Sequence, residues 1–207
     1  LIYLMKIGMK ILFVSRKATQ CGVADYGKRL FSILDKNFDI VFSEIVDVQE
    51  FNKTFDTVKP DIVLYNYYCT TLPFITDDLL KNKRTAKHVV IYHESGINFT
   101  PDDKISTLPR PIYNIDIPEF IPGPIPKIGS FGFGFANKNF IGIAELVKKE
   151  FETAIIRLNI PFAEFGDSNG DQARAEAEKV KSYLKDSNIQ LEIDHRFLPV
   201  EDLIKWL

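Results

Sequence analysis

Cysteine, methionine and tryptophan are scarce in this chain: two, two and one among 207 residues. Cys21 and Cys69 share no metal-ligand spacing and cannot build a disulfide framework, so a reducing, cytoplasmic setting is expected. Long apolar runs are also missing. Leu1 to Val14 comes nearest, but Lys6 and Lys10 interrupt it, and a spanning helix needs roughly 20 mostly apolar residues. Ser15, Arg16 and Lys17 follow where a signal peptide would carry a small-residue cleavage site. Neither sign of charge dominates: 26 Lys and Arg stand against 28 Asp and Glu, a net charge of −2. That balance excludes a dedicated nucleic-acid binder, whose domain is basic, but leaves room for a local phosphate pocket. The dinucleotide fingerprint G-x-G-x-x-G and the metal motif D-x-D are both absent. So are paired acids at the end of the first apolar run, where Ser15 and Arg16 stand, which argues against a phosphorylated receiver domain.

What is present is an alternation. Short runs rich in β-branched residues alternate with stretches of helical period, the mark of βαβ units on a parallel sheet. Ile11–Val14, Phe38–Ser43, Asp61–Asn66 and His88–Tyr92 read as strands. Val23, Tyr26, Leu30, Ile33 and Leu34 share one helical face, as do Val48, Phe51, Phe55 and Val58, and Leu72–Lys83 reads as a third helix. From Thr100 to Lys127 seven prolines crowd in, and no regular element is expected to survive for long there. The rhythm then restarts. Strands are expected at Lys127–Phe131, Ala154–Leu158 and Ile189–Ile193, and helices around Phe140–Phe151 and Ala173–Leu184. The fold expected is therefore α/β, with two Rossmann-like parallel-sheet domains joined by a linker.

The ends are unusual. Leu1–Gly8 reads as a leader of doubtful origin before a native start at Met9. Pro199 to Asp202 opens a helix whose apolar stripe, Leu203, Ile204 and Leu207, stops with the chain. The expectation is a fragment: residues 9–122 form an N-terminal domain including the proline-rich segment, and 123–207 the first part of a second, incomplete domain.

Ligands of open parallel sheets bind beyond the carboxyl ends of the strands. After the first strand, Gly22 precedes a helix, either as a tight turn or as backbone exposed to an anion or sugar hydroxyl. After the fourth come His93 and Glu94, either lining a substrate or bonding a loop carbonyl. After the linker, Gly129, Gly132 and Gly134 alternate with Phe131, Phe133 and Phe135, and Asn137 and Lys138 follow just before a helix. Glycines, a point charge and a helix start in one loop suit a pyrophosphate better than they suit a solvated turn. Two decoys are set aside. Asp167, Asn169, Asp171 and Glu178 have calcium-loop spacing, but Gln172 stands where the loop needs Gly. Cys21 and His93 could imitate a thiol and its base, yet most free cysteines only pack.

Together these pieces resemble the family-four retaining glycosyltransferases of the GT-B fold. The resemblance rests on Met9–Ser15 with Cys21–Leu30, on Ile91–Glu94, on Ile128–Phe135 with Asn137 and Lys138, on Leu158–Phe162, and on Phe197–Leu203. It implies transfer of a hexose from a nucleotide sugar to a glycan or lipid-linked acceptor in polysaccharide biosynthesis, with peripheral membrane contact through such an acceptor. No essential metal or other cofactor is implied. Catalytic roles would fall to His93 and Lys138. Donor contacts would fall to Gly22, Ser130, Gly132, Gly134, Asn137, Lys138, Arg196 and Phe197, and acceptor contacts to Arg16, Tyr26 and Glu94. There are departures: Ser130 and Phe131 stand where the family often has Arg, and Asn139 replaces a Gly. The acidic motif that contacts the donor sugar would lie beyond Leu207, so activity is expected only of a longer parent. The alternative is a non-catalytic nucleotide- or sugar-binding α/β module.

Overall fold

The computed structural model describes residues 8–18, 21–93, 99–111, 123–164 and 166–207. It divides into two compact units, Leu1–Ile112 and Tyr113–Leu207. The expected boundary at residue 122 and the leader to residue 7 lie outside the described residues.

In the first unit, five parallel strands stand in the order β2-β1-β3-β4-β5: β1 Lys10–Arg16, β2 Asp39–Ile45, β3 Ile62–Tyr67, β4 Lys87–Tyr92 and β5 Ile105–Pro109. Three helices connect them: α1 Gly22–Leu34, α2 Val48–Val58 and α3 Asp77–Asn82. Side chains alternate across a strand, and the alternation sorts the helices onto opposite faces. Leu12, Val14, Val63 and Tyr65 point into one core with Phe51 and Phe55 of α2 and Leu80 of α3. Ser15 and Asn66 point the other way, against Gly27 of α1. Helix α2 starts where side chains satisfy its free N–H groups. The Asp47 carboxylate accepts from the Glu50 amide at 2.8 Å, and the Glu50 carboxylate accepts from the Val46 amide at 3.0 Å.

Two expectations are corrected here. The proline-rich stretch does contain a regular element, β5. It is an edge strand, so only one side of it must pair, and Pro109 sits at its end, where Arg110 donates instead to the Tyr92 carbonyl at 3.1 Å. The third helix is half its expected length. Pro73 and the Thr76 cap, whose hydroxyl accepts from the Leu79 amide at 3.2 Å, delay its start to Asp77. Leu72 and Ile75 still enter the core, from a turn.

The second unit carries three parallel strands in the order β6-β7-β8: β6 Lys127–Phe131, β7 Ala154–Asn159 and β8 Ile189–Asp194. Helices α4 Phe140–Glu150 and α5 Asp171–Leu184 share one core with Ala154, Ile156 and Leu158. Arg157 points to the opposite face. There its guanidinium donates to Glu192 and to the Trp206 carbonyl of α6 Val200–Trp206, both at 2.7 Å. Among the described residues no helix is long and apolar enough to cross a membrane.

Candidate functional site

In the first unit the strand order reverses direction between β1 and β3, the place where open α/β sheets bind ligands. Asn66, buried near the end of β3, bridges this point. Its amide nitrogen donates to the Ser15 hydroxyl at 3.0 Å and to the Val23 carbonyl at 2.6 Å. Its amide oxygen stands 2.7 Å from Nε2 of His93, just past β4. One side chain thus ties the ends of two strands and the first turn of α1 to the histidine. Gly27 makes this possible. A β-carbon there would lie 2.5 Å from the Asn66 amide nitrogen and 2.7 Å from the Ser15 hydroxyl, closer than any side chain permits.

Around His93 lie two residues of the acceptor-side expectation or its neighbourhood. The Tyr26 ring meets the imidazole edge-on, with centroids 4.8 Å apart, and its hydroxyl donates to the Pro111 carbonyl at 3.0 Å. The Arg110 guanidinium lies 5.8 Å from the Tyr26 ring centroid, a cation over an aromatic face. Burial, and secondarily the charge of Arg110, lowers the His93 pKa to about 4, so the ring is neutral at physiological pH. Arg16 at the end of β1 donates to the Thr71 carbonyl at 3.2 Å, turning toward the loop after β3. Gly22 opens α1, and a β-carbon there would meet open space, so packing alone does not require glycine. Glu94 lies outside the described residues. Cys21 is buried at the cap of α1.

In the second unit the glycine and phenylalanine loop leaves the carboxyl end of β6. Ser130 is half-buried and pairs in register with Leu158. The Gly132 amide donates to the Asn159 carbonyl at 3.0 Å, extending the strand edge by one bond. Gly134 is pressed onto the first turn of α5. A β-carbon there would stand 2.3 Å from the Ala173 Cα, so only glycine allows this approach. Asn137 and Lys138 are exposed on a single 3-10 turn, Ala136–Lys138. The methylenes of Lys138 cross over Gly132, within 3.0–3.3 Å of where its β-carbon would be. Among the described residues no carboxylate pairs with the Lys138 ammonium. Asn139 then caps α4 with φ 51°. That left-handed geometry favours glycine, and asparagine is among the residues that tolerate it best.

Arg196 and Phe197 follow β8. The Arg196 guanidinium grips both oxygens of Asp194, at 2.6 to 3.0 Å, which holds the Asp194 carboxyl below its ordinary range. Its charge is therefore already partnered. Phe197 stacks on Phe133, with centroids 6.2 Å apart and planes 16° from parallel. Ser130, Gly132, Lys138, Phe133 and Phe197 thus gather at one sheet edge, whereas Arg196 is held by its own strand.

Sequence reasoning missed both asparagines that organise these edges. Asn159 ends β7, and its amide nitrogen donates to the carbonyls of Asp194 at 3.3 Å and Arg196 at 3.0 Å. The signal was available: in each unit one apolar strand ends in asparagine, Ile-Val-Leu-Tyr-Asn66 and Ile-Ile-Arg-Leu-Asn159. The calcium-spaced segment is also accounted for. Both Asp167 oxygens accept amide protons of α5, from Gln172 and Ala173 at 2.9 Å, so this carboxylate is a helix cap.

No protein-family model matches the chain, and no curated protein matches it in sequence. Solved structures do. Alpha-glucosyltransferase (AGT) in complex with UDP superimposes with a TM-score of 0.50 at 13% identity, over 96% of this chain and 71% of that one. MurG of Acinetobacter baumannii follows at 0.39 and 10% identity, over 95% and 69%. The likeness to the first is one of fold: the chain is α/β and GT-B-like, with two Rossmann-like parallel-sheet units, the second smaller.

Proposed function

We propose that the chain is a glycosyltransferase that moves a hexose from a nucleotide sugar to a glycan or lipid-linked acceptor. The observation that supports this most is the loop after β6. It presents a lysine, with no carboxylate partner among the described residues, across a glycine, between a strand end and the start of α4, in a fold shared with a UDP-bound glucosyltransferase.

Glycosyl transfer breaks the bond between the anomeric carbon and the diphosphate. The carbon becomes oxocarbenium-like while negative charge grows on the departing phosphate oxygen. Stabilising that charge is the dominant electrostatic task. Lys138 meets it as a cation, and the amides of the glycine loop add oriented donors at no cost in reorganisation. The Phe133–Phe197 pair gives this edge an apolar wall against which a nucleobase would lie. Ser130 and Asn137 add hydroxyl and amide groups for the phosphates or the sugar, and Gly22 adds backbone donors at the start of α1. His93, neutral and half-buried, serves the reacting sugar, with Tyr26, Arg16 and Glu94 on the acceptor side. Arg196 would contribute through its backbone and its position rather than through free charge. No residue in this reading requires a metal ion. The role in polysaccharide synthesis and the cytoplasmic setting belong to the same proposal.

The test, made on the longer parent in which activity is expected, is release of UDP from UDP-glucose and related nucleotide sugars, with UDP binding measured in parallel by calorimetry. Lys138→Ala should lower turnover about 10²–10³-fold, the loss typical of removing one donor to a developing oxyanion. Because Lys138 is exposed, the variant's stability should stay within about 0.5 kcal/mol of the parent. Turnover unchanged in Lys138→Ala would remove the lysine from the mechanism. Saturable UDP binding without turnover would instead favour a non-catalytic nucleotide-binding module.

A further inference from the structure

The Asn66 amide is oriented without ambiguity. A carbonyl can only accept, so the group 2.6 Å from the Val23 oxygen must be the amide nitrogen. The amide oxygen therefore faces His93, and a hydrogen bond at 2.7 Å then requires a proton on Nε2 of the ring. A neutral imidazole protonated on Nε2 has an unprotonated Nδ1. Among the described residues Nδ1 has no hydrogen-bond partner, and the ring is only half-buried.

We infer that Asn66 is the positioning residue of this site: it holds His93 as the Nε2–H tautomer so that Nδ1 can accept a hydrogen bond from a sugar hydroxyl. This rests on the reading of the chain as a glycosyltransferase for the identity of the ligand, but not for the tautomer. The assignment explains features that a merely structural histidine would not need. A structural ring bonds a carbonyl, as His88 does to Lys83 and His195 to Ile160. His93 is bonded instead by an amide whose own orientation is fixed at a second point. It is also kept neutral, which preserves the lone pair a hydroxyl would meet. Gly27 belongs to the same device, because it alone lets α1 approach the amide.

Nitrogen-15 NMR of the full chain, labelled at histidine and free of ligand, reads the tautomer directly. At neutral pH, His93 is expected to show a protonated Nε2 and an unprotonated Nδ1. Asn66→Ala should mix the two tautomers. Asn66→Asp keeps the side chain's size and still accepts from Nε2, but its charge favours the imidazolium and should raise the His93 midpoint. Gly27→Ala touches Asn66 and not His93, yet should shift the His93 resonances in the direction of Asn66→Ala. If Asn66→Ala fails to fold, Asn66→Asp decides alone. A wild-type His93 protonated on Nδ1, or resonances indifferent to both Asn66 variants, would overturn the assignment.

The hydroxyl is tested on the same sample. UDP-glucose and maltose are added separately, the first presenting a donor-sugar hydroxyl and the second an acceptor hydroxyl. A shift of Nδ1 alone with either supports the inference, and no shift with both overturns its ligand half. Turnover separates this from the wider proposal. Asn66→Ala should lower kcat about tenfold, the worth of one hydrogen bond, with little change in KM. An Nε2–H tautomer in this chain, beside a longer parent that never turns over a nucleotide sugar, would sustain the positioning role and sink the transferase reading.

Discussion

The two units solve one problem with the same residue and reach different results. In each, a buried asparagine at or near the end of a strand ties neighbouring strand ends together. Asn159 spends its amide donors on two backbone carbonyls, those of Asp194 and Arg196, and its own carbonyl holds Gly132. Everything it bonds is main chain, so it fixes the shape of the edge. Asn66 bonds a hydroxyl, a carbonyl and an imidazole, and two of its three partners are side chains. The first unit therefore orients a titratable ring, whereas the second frames a loop.

The tightest point of either clamp is the most sensitive place to break the comparison. Gly134 faces backbone atoms of Ala173, which cannot swing aside, whereas Gly27 faces the tips of two side chains. Gly134→Ala should therefore destabilise the second unit by about 3 kcal/mol, the upper part of the usual cost of overpacking. Gly27→Ala should cost about 1 kcal/mol and express itself mainly at His93. Urea unfolding followed by the fluorescence of Trp206, the only tryptophan, reports on the second unit. Equal losses from the two substitutions would mean that the side chains around Gly27 are as unyielding as a helix backbone.

Removing the clamps themselves comes next in size. Asn159→Ala leaves the Arg196 carbonyl without its amide donor, while the Asp194 carbonyl still accepts from Ile160, and should cost the second unit about 2 kcal/mol, leaving the His93 spectrum unchanged. A stability loss in Asn159→Ala no larger than about 0.5 kcal/mol, the noise of a surface substitution, would show that water replaces the amide.

These contrasts were only partly legible beforehand. The strands announced themselves because a parallel strand buried on both faces is an apolar, β-branched run, and Ile11–Val14 and Ala154–Leu158 are such runs. The edge strand β5 was hidden because Pro109 and its neighbours mimic a linker, and an edge needs only half the backbone donors of a central strand. The candidate site was legible where residue type is itself unusual: glycines among phenylalanines, a lysine before a helix, a histidine past a strand. It was illegible where function depends on what an ordinary residue touches. Asn66 read as the polar end of a strand and Asn159 as the residue just past one, and only the fold brings Ser15, Val23 and His93 around the first of them. Arg196 is the opposite case. The resemblance implied a donor contact there, but Asp194, two residues earlier, already holds the guanidinium.

Acid should separate the two units most gently. His93 has its folded-state pKa lowered to about 4 from an ordinary value near 6.5, and buried His88 is lowered as well. Between those values the unfolded chain binds more protons than the folded one. The first unit therefore loses stability as pH falls from about 6.5 toward 4, and that part of the loss is complete below 4. Asp194 in the second unit is shifted the other way, because Arg196 holds its charged form. Its contribution persists above the ordinary carboxyl range, near 3.9, and is lost only as pH falls below that. At about pH 5.5 the first unit should be weaker by about 1 kcal/mol or less, since part of the His93 ring is screened by solvent. The Trp206 transition should not move. Hydrogen exchange at the two pH values, corrected for intrinsic rates, resolves the strands of each unit. Faster opening confined to β1, β3 and β4 would tie the acid response to the unit that carries the buried histidines. Uniform opening across both sheets would mean that the acid response lies elsewhere, and that the neutral state of His93 costs the fold nothing measurable.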